Sequence, residues 1–377
     1  MMDFTLHHDI DAIDRGAWDA CFGGDPESWD YHRAVARAGI AGFSWMFPAV
    51  RHQGRVVLAA PAFATTYRLD TTVQGWLKAA LAPFARWLSL RLFCLGSPAA
   101  DRCHLGFAPD LSAAERACAL GVLLDGFAAA AAEAGAGLLA LKDLADEDWR
   151  RPEIHAVLVR AGYRAEASLP NAMLDLGMGD EERYLAGLSK ATRKDVRRKL
   201  RASMPRMRID LHRGEAALGM VDAMMALYDV QRARSGVDFE QFEALSPAYF
   251  ANVLTGLGER ALVFSYWYGD DLAGFNLCLA GDTMLIDKFI GLRDDLAREL
   301  DLYVVSWMVN VRHCLAHGIA RLQTGQTAYA MKTRMGSRLE PRWLVFRHRS
   351  RLINAMLGLV APLLAADRWD GDLEDGS

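Results

Sequence analysis

Apolar and polar positions in the first part of the chain follow an order that is typical of an α/β unit. Two short apolar runs flank the turn sequence His52-Gln53-Gly54, which predicts a β-hairpin. The Ala- and Leu-rich residues 112–135, with a Ser at the start and a Gly at the end, predict a long helix. A strand over 137–144 and a helix over 147–161 follow, whereas residues 1–43 look helical and loop-like.

A similar order recurs in the second part of the chain. The pattern predicts a strand at 168–176, a basic helix at 180–204, a strand at 207–214, a helix at 215–234, three strands within 261–292, a helix at 302–318 and a strand at 319–325. Two similar orders in one chain suggest a duplicated unit. We therefore expect lobes at 1–165 and 166–345, followed at 346–377 by an amphipathic, apolar segment and an acidic tail.

The balance of residue types favours a globular, cytoplasmic protein that does not bind DNA. Of the 377 residues 52% are hydrophobic and 24% are charged, and the net charge of −4 argues against general nucleic-acid binding. Acidic residues stand near the N-terminus, where a secretory signal would carry cations. The six cysteines form no CxxC pair, which favours buried free thiols, and we predict no metal site.

Two apolar stretches, residues 75–97 and 352–366, are flanked or interrupted by cations. A bilayer crossing needs about 20 uninterrupted apolar residues, whereas these stretches contain Pro83 and Pro362. Burial in the core and insertion into a membrane interface remain as alternatives. The second alternative predicts peripheral association with the inner face of an anionic membrane.

The segment 322–336 is polar at the point where a strand should return to the core. It combines a Gly-centred turn with Gln326, Tyr329, Lys332 and Arg334. Loops that follow strands commonly carry functional side chains on a rigid scaffold. Helical spacing would place Tyr329 and Lys332 on one face. The alternative is an ordinary solvated turn.

Asp287 and Lys288 interrupt an apolar strand, and alternation places one of them on each face of the sheet. A buried carboxylate costs several kcal/mol unless it is paired. Asp287 therefore either meets a cation such as Lys332 or has a raised pKa that suits proton transfer. A structural salt bridge and a catalytic role both fit this pattern.

The predicted basic helix places Arg193, Arg197 and Arg201 four residues apart on one face. Phosphate groups are natural partners of such a face, and they could belong to CoA, to tRNA or to anionic lipids. A solvated charged face is the alternative. The sequence contains no P-loop and no GxGxxG motif. Catalysis would then depend on holding an amine against an activated carbonyl group, with one base and some oxyanion donors.

Several segments together resemble the FemAB-like/BioF2-like acetyltransferases, which are tandem GNAT proteins. The resemblance covers roughly residues 29–350, and its carriers are SWDYHRAVARAG, VVLAAPAF, YLAGLSKATRKDVRRKLR, LYDVQRARSG, DLAGFNLCLAGDTMLIDKFIG and LQTGQTAYAMKTRMGSRLEP. It implies two GNAT-like lobes, each a mixed, mostly antiparallel sheet flanked by helices. It also implies a donor site in the second lobe, with the amine acceptor between the lobes.

The resemblance assigns roles to particular residues. It places Gln326, Tyr329 and Lys332 at the active cleft, with Asp287 on the central strand, and Asp287, Tyr329 and Lys332 are the predicted catalytic residues. The RxxGxG/A pyrophosphate loop of ordinary GNAT enzymes is absent at 291–298, so phosphates could instead meet the N-terminus of helix 302–318. We predict donor binding by Arg193, Arg197, Arg293, Arg298, Gln326 and Arg334, and acceptor binding by Tyr228, Arg232, Lys288 and His348.

The leading prediction is an N-acyltransferase that uses acyl-CoA, or acyl carrier protein, as co-substrate and holds no permanent cofactor. The apolar stretches favour a lipid-like or sphingoid amine as acceptor, as in the bacterial ceramide synthases of this superfamily. Two alternatives stay open. One is a Fem-like transferase that takes its aminoacyl group from tRNA, and the other is a non-catalytic accessory protein of the envelope or of polysaccharide export.

Overall fold

A mixed sheet of fourteen strands runs through both halves of the chain. The computed structural model describes residues 1–68, 89–177, 179–234 and 245–360. The strands of the first half are β1 Met2–His7, β2 Ser44–His52, β3 Arg55–Ala59, β4 Ala62–Arg68, β5 Ser89–Leu95, β6 Gly106–Phe107 and β7 Leu138–Ala145. Its helices are α1 Arg15–Asp19, α2 Trp29–Arg37, α3 Ala113–Glu133, α4 Asp146–Trp149 and α5 Pro152–Arg160.

The second half repeats this mixture of strands and helices. Its strands are β8 Arg164–Asp175, β9 Arg208–Arg213, β10 Ala261–Tyr268, β11 Asp271–Ala280, β12 Met284–Leu292, β13 Arg321–Gln323 and β14 Arg338–His348. Its helices are α6 Glu181–Gly187, α7 Lys190–Ser203, α8 Val221–Arg234, α9 Pro247–Leu257, α10 Asp294–Ala297, α11 Leu302–Ala316, α12 Tyr329–Arg334 and α13 Arg351–Val360. The predicted α/β class is therefore confirmed.

The local predictions hold where the sequence carries a strong signal. The turn between β2 and β3 has positive φ angles at Gln53 and Gly54, as a tight hairpin requires. Ser112 begins α3 with a capping box that it forms with Glu115.

Four local predictions differ from the structure. Residues 2–7 form a strand that pairs antiparallel with β2. The helix predicted at 147–161 is broken before Pro152, because the ring of a proline lacks an N–H and disfavours helix in the residue before it. The basic helix predicted at 180–204 is two helices, since Ser189 is extended and accepts a hydrogen bond from the Thr192 N–H as a new N-cap. The helix predicted at 215–234 begins as a 3₁₀ helix over Gly214–Met220.

The two halves meet at β14. The strand order is β6-β3-β2-β4-β5-β7-β14-β8-β13-β12-β11-β10-β9, with β1 beside β2. β14 pairs antiparallel with β7 on one side and with β8 on the other. The predicted boundaries at 165 and 345 fall within β8 and within β14. The last strand therefore joins the lobes into one sheet, and α13 extends from it.

Two hydrophobic cores flank the sheet of the second half. One lies between the sheet and the helices α6, α7 and α11, around Leu285, Met308 and Leu322. The other includes Val253 of α9, Ile286 of β12 and Val35 of α2. Because α2 comes from the first half and packs against α9, this second core also holds the lobes together.

Candidate active site

A pair of parallel strands diverges in the middle of the second lobe. β12 and β13 pair in parallel over three residues only, and the pairing ends at Ile286 and Gln323. Asp287 is the first residue of β12 beyond this pairing. On the other side of β12 the register to β11 shifts between Cys278, which faces Asp287, and Leu277, which faces Phe289. The shift leaves Lys288 as an extra residue, a β-bulge of the kind that often lies next to a functional site.

The contacts of β12 confirm that Asp287 and Lys288 point to opposite faces. Asp287 meets Asn310 of α11, whereas the Lys288 ammonium lies 5.4 Å from the ring centre of Tyr31. The sequence pattern predicted this alternation correctly. The bulge then places Phe289 on the same face as Lys288, since Phe289 packs against Tyr249.

The carboxylate of Asp287 is held by two amide side chains. Asn276 Nδ2 donates to Asp287 Oδ1 at 2.9 Å, and Asn310 Nδ2 donates to Asp287 Oδ2 at 3.0 Å. Burial raises the pKa of Asp287 to about 6, although these amides and the Lys332 ammonium oppose the rise. Asp287 is therefore mostly ionised at neutral pH yet able to accept a proton, which suits a general base.

The polar turn after β13 folds back over β8. Thr327 and Ala328 both have positive φ angles, 66° and 51°, which is a strained conformation for residues with a Cβ atom. Gln326 Nε2 donates to the Leu169 carbonyl at 2.9 Å, and the Tyr329 hydroxyl donates to the Pro170 carbonyl at 2.9 Å. Two side-chain hydrogen bonds thus fix this turn against β8.

Lys332 is a buried cation that forms no ion pair with a carboxylate among the described residues. Its side chain is on the short helix α12, and the residue is 5% exposed. Its Nζ donates to the Gln326 carbonyl at 2.8 Å. Burial lowers the pKa of Lys332 to about 8, while Asp101 and Asp287 act in the opposite direction. Near neutral pH this ammonium can therefore donate a proton far more readily than an ordinary lysine.

The first lobe contributes Asp101 to the same place. Asp101 follows β5, and a Cβ atom built on Gly325 of the polar turn would lie 3.4 Å from Asp101 Oδ2. Its negative charge acts to raise the pKa of Lys142, Lys288 and Lys332. Within the described ranges no side chain forms a hydrogen bond or ion pair with its carboxylate. Asp101 is thus a charge from one lobe that faces the turn of the other.

A second group of buried charges lies on the opposite face of β12. Lys288 Nζ is 2.6 Å from Glu27 Oε1, and these side chains are 3% and 2% exposed. Burial would lower the pKa of Lys288, but Glu27 and Asp101 raise it above its ordinary value. Lys288 was predicted to bind substrate. Its ammonium group is instead held by a carboxylate of the first lobe.

The same group contains the one cluster of described side chains that could hold a metal ion. One ligand atom from each of Asp25, Glu27 and His104 lies within 4.8 Å of the others. Lys288 already pairs with Glu27, and Arg102 lies 3.2 Å from Asp25. Because two cations already balance the two carboxylates, a divalent ion would meet strong repulsion here. The cluster fits a buried ion network better than a metal centre.

The basic helix α7 is partly neutralised by its neighbours. Arg193 Nη1 donates to carbonyls at the end of α6, the closest being Ala186 at 3.3 Å. Arg197 pairs with Glu182, and Arg334 of α12 pairs with Asp195 at 2.7 Å. These three predicted donor-binding residues therefore already have intramolecular partners.

The predicted phosphate region lies between β12 and α11. Arg293 pairs with Asp295 at 2.7 Å and with Asp271 at 3.2 Å, whereas Arg298 is exposed. The N-cap residue of α11 is Asp301, whose carboxylate is 3.3 Å from Lys199 Nζ. An acidic N-cap disfavours a phosphate unless Lys199 compensates it.

Three further predicted acceptor-binding residues lie away from Asp287 and Lys332. Tyr228 is buried in the core and packs against Phe250 and Phe289. Arg232 is exposed near the end of α8, 3.8 Å from Asp229. His348 ends β14, where it pairs with β7. The structure therefore brings together Asp287, Lys332, Tyr329 and Gln326 from the predicted set.

Sequence reasoning missed Asn276, Asn310, Asp101 and Glu27. Asn276 is a polar residue within an apolar strand, the same signal that identified Asp287. Asn310 is a polar residue within an apolar helix. Asp101 and Glu27 lie in irregular segments, where acidic residues are common and carry no periodic signal.

Comparison with known families matches the part of the chain that contains this site. Residues 190–333 match the family model of the acetyltransferase (GNAT) domain. This range extends from α7 to α12 and includes Asp287 and Lys332. No curated protein sequence matches the chain.

Several solved structures share the fold over most of this chain. FemX is 12% identical with a TM-score of 0.59, over 91% of this chain and 96% of that chain. A tandem GNAT protein from the clavulanic acid biosynthesis pathway is 13% identical with a TM-score of 0.51, over 92% and 98%. A C-terminal domain named for lysylphosphatidylglycerol synthetase, from Agrobacterium fabrum, is 17% identical with a TM-score of 0.50, over 82% and 87%. At such identities the likeness concerns the fold, which is two GNAT-type lobes in tandem.

Proposed function

We propose that this chain is a Fem-like tandem GNAT acyltransferase that transfers an acyl group from a thioester donor to an amine held between its lobes. The donor is acyl-CoA or acyl carrier protein. The observation that carries this proposal is the pair of buried groups at the diverging strands, Asp287 with a pKa raised to about 6 and Lys332 with a pKa lowered to about 8. Groups whose pKa values are shifted toward neutrality are typical of acid–base sites.

The edge of β12 that is unpaired with β13 beyond Ile286 is a suitable binding site for the acyl donor. Beyond Ile286, the backbone of β12 has no partner from β13, so its N–H and C=O groups on that side are available to a ligand. An amide-containing arm of a thioester donor can add to such an edge as a short strand. This placement would bring the thioester carbonyl next to Asp287, the first residue beyond the pairing.

Asp101 suits the amine acceptor. It belongs to the first lobe and faces the polar turn of the second, so an ammonium group bound to it would lie between the lobes. Asp287 would accept the proton that makes this amine nucleophilic. The nitrogen then attacks the thioester carbonyl, and the C–S bond breaks as the amide forms.

Lys332 would act on the charge that develops in this reaction. Its ammonium can stabilise the oxyanion of the tetrahedral intermediate. It can also pass a proton to the leaving thiolate and recover one from the new amide nitrogen. Tyr329 and Gln326 are positioning residues in this scheme, because their hydrogen bonds to β8 hold the turn that precedes Lys332.

A lipid-like amine is the acceptor that we favour, a sphingoid base being one example. The support is an apolar, exposed face on α13, where Leu352 is 72% and Met356 is 56% exposed. One structural neighbour is named for a lysylphosphatidylglycerol synthetase. No helix within the described residues is long and apolar enough to cross a bilayer. The apolar face of α13 would meet such an acceptor at a membrane surface.

A tRNA-linked donor is a second candidate that one observation favours. Lys190, Lys194 and Arg201 are exposed on α7 and have no acidic partner among the described residues. Such a row of cations could follow a nucleic-acid backbone. Binding of charged tRNA that weakens steeply between low and high salt would support this donor.

Thiol release from acyl-CoA, measured with and without a panel of amines, tests the leading proposal. We expect release that depends on both the amine and the protein, together with an amide product in the mass spectrum. Charged tRNA in place of acyl-CoA distinguishes the two donors. Lack of any product from either donor with short-chain, lipid-like and sphingoid amines would contradict the proposal.

A further inference from the structure

A cluster of arginines lies at the far end of β14, away from the candidate active site. It surrounds a cavity of about 360 Å³. The cavity is lined by Arg160, Ala161, Gly162, Arg347, His348, Arg349, Arg351 and Asn354, and none of these side chains is acidic. We call this cavity the arginine pocket.

The arginine pocket differs from the rest of the described surface in its charge balance. Elsewhere most arginines pair with carboxylates, as Arg312 does with Glu181 at 2.7 Å. Arg160, Arg349 and Arg351 are exposed, and within the described ranges they have no acidic partner. The chain has more acidic than basic residues, 47 against 43, so this cluster is not a result of overall composition. Like charges held together repel one another, and an anion would relieve that repulsion.

Two backbone carbonyls that could repel an anion at the pocket already accept hydrogen bonds from side chains. Helix α5 ends here, and its free carbonyls would disfavour negative charge. Arg347 Nη1 donates to the Ala161 carbonyl at 2.7 Å, and Asn354 Nδ2 donates to the Gly162 carbonyl at 3.1 Å. Arg347 Nε is buried and has no hydrogen-bond partner in the part of the chain that the structure describes. The pocket therefore offers donors and charge, with those two carbonyls already occupied.

Helix α13 places an apolar face beside the pocket. Leu352, Ile353 and Met356 are 72%, 37% and 56% exposed and lie within one face of the helix. Leu357, one turn after Ile353 and at the border of this face, packs against a small core that includes Phe346 and so holds the helix in place. Val159, which precedes Arg160 on α5, is also half exposed. A soluble anion would account for the arginines but not for this apolar face.

We propose that the arginine pocket and the exposed face of α13 form a docking surface for an anionic phospholipid bilayer. The pocket would bind a phosphate headgroup. Leu352, Ile353 and Met356 would enter the boundary between headgroups and acyl chains, as the apolar face of an interfacial helix does. The inference deepens the proposed function, since it identifies the surface from which a lipid-like amine would arrive. The experiment that tests this docking surface measures vesicle binding and does not require catalytic activity.

Of the two stretches predicted to meet a membrane, 75–97 and 352–366, this surface includes only the beginning of the second. Residues 75–88 lie outside the described residues. Phe93 was predicted to enter the membrane but is buried in β5, with its ring centre 5.6 Å from that of Phe127. Arg91 donates to the Ala134 carbonyl at 2.7 Å. Residues 92–95 of the first stretch are therefore buried in the core, and the docking surface lies on α5, β14 and α13.

Co-sedimentation of the full chain with vesicles of phosphatidylglycerol or phosphatidylcholine tests the proposal. The main variant is Arg160→Ala with Arg349→Ala and Arg351→Ala. The control is Lys190→Ala with Lys194→Ala and Arg201→Ala, which removes the same charge from α7. Each basic residue near an anionic surface contributes about a fivefold gain in binding, so the main variant should bind phosphatidylglycerol about a hundredfold more weakly. The control should stay within about threefold of the wild type.

Two further arms separate the sources of binding. Leu352→Ser with Met356→Ser should also weaken binding to phosphatidylglycerol, whereas inorganic phosphate at constant ionic strength should not displace the protein from vesicles. Equal binding of the main variant and the control, equal binding to both lipids, or binding of inorganic phosphate without vesicle binding would overturn the proposal. A thermal melt of each variant checks folding.

Thiol release with a short, water-soluble amine and no vesicles separates this inference from the proposed function. We expect the main variant to keep wild-type turnover in that assay, because its residues lie outside the candidate active site. Lack of turnover by the wild type with both donors and with every amine of the panel would contradict the proposed function and leave the vesicle result unaffected.

Discussion

Two groups of buried charges lie on opposite faces of β12, and they differ in how they are balanced. On one face Lys288 forms an ion pair with Glu27, and Arg102 lies beside Asp25. On the other face Asp287 accepts hydrogen bonds from neutral amides, and Lys332 donates to a carbonyl group. The first group is compensated within the protein. In the second group no described side chain forms an ion pair with Asp287 or Lys332, and burial therefore moves both pKa values toward neutrality.

The comparison separates structural from functional charge. A compensated ion pair contributes to how the lobes fit together, since Lys288 belongs to the second lobe and Glu27 to the first. An uncompensated pair costs stability, and such costs are commonly retained where they serve a reaction. Asp287 and Lys288 are neighbours on β12, yet we assign a catalytic role to the first and a structural role to the second.

Removing one partner of the compensated pair should produce the largest loss of stability. Lys288→Met leaves the Glu27 carboxylate buried without its cation, which typically costs about 3–5 kcal/mol. Chemical denaturation at pH 7 measures this loss. The double variant Lys288→Met with Glu27→Gln is the matched control, because it removes both charges and should recover most of the stability. A single variant as stable as the wild type would show that the pair is not structural.

Removing the Lys332 ammonium should lower activity without lowering stability, which is the reverse of the effect expected for Lys288→Met. Lys332→Met should lower turnover by about 10²–10³-fold, as loss of an oxyanion donor does. Its stability at pH 7 should be unchanged or higher. The folded-state pKa of about 8 lies below the ordinary 10.5, so the charged group costs the fold up to about 3 kcal/mol below pH 8. That cost disappears as the pH rises through 10.5.

Turnover and melting temperature of Lys332→Met, measured across pH 6 to 10.5, check both parts of this prediction. Lys194→Met is a control on the exposed face of α7. A variant that loses stability together with activity would place Lys332 among the structural charges.

Asp101 should have a smaller effect, limited to the acceptor. Asp101→Asn keeps the shape of the side chain and removes the charge that would bind an ammonium group. We expect the KM for the amine to rise about tenfold, because a hydrogen bond to a charged group contributes about 1.5–3 kcal/mol. The KM for the acyl donor should stay the same. Equal changes in both constants would argue for a general effect on the lobes.

The charged residues of the candidate site could be predicted from the sequence more readily than the residues that contact them. Asp287 and Lys332 could be found because polar residues interrupt apolar patterns, and the strands around them follow local periodicity. Their long-range contacts have no local signal: Glu27 lies 261 residues from Lys288, and Asn310 lies 23 residues from Asp287. No local pattern therefore indicates that Lys288 pairs with Glu27. The break at Ser189 was missed because the cap residue lies inside an otherwise continuous helical pattern.

The pairing of β14 was also beyond local reasoning. Its alternation identifies a strand, but nothing local shows that it lies between β7 and β8 and joins the lobes. The arginine pocket depends on this pairing, since β14 brings Arg347 and Arg349 next to the end of α5. Residues that form a site by topology alone do not produce a sequence motif.

The dependence of kcat/KM on pH tests the central claim most directly, which is that Asp287 and Lys332 form the reacting pair. With the leading donor and amine, we predict a bell-shaped profile that rises through about pH 6 as Asp287 ionises and falls above about pH 8 as Lys332 loses its proton. Asp287→Asn should remove the acidic limb, and Lys332→Met should remove the basic limb. Limbs that persist in both variants, or that follow only the pKa of the amine across a series of amines, would contradict the claim.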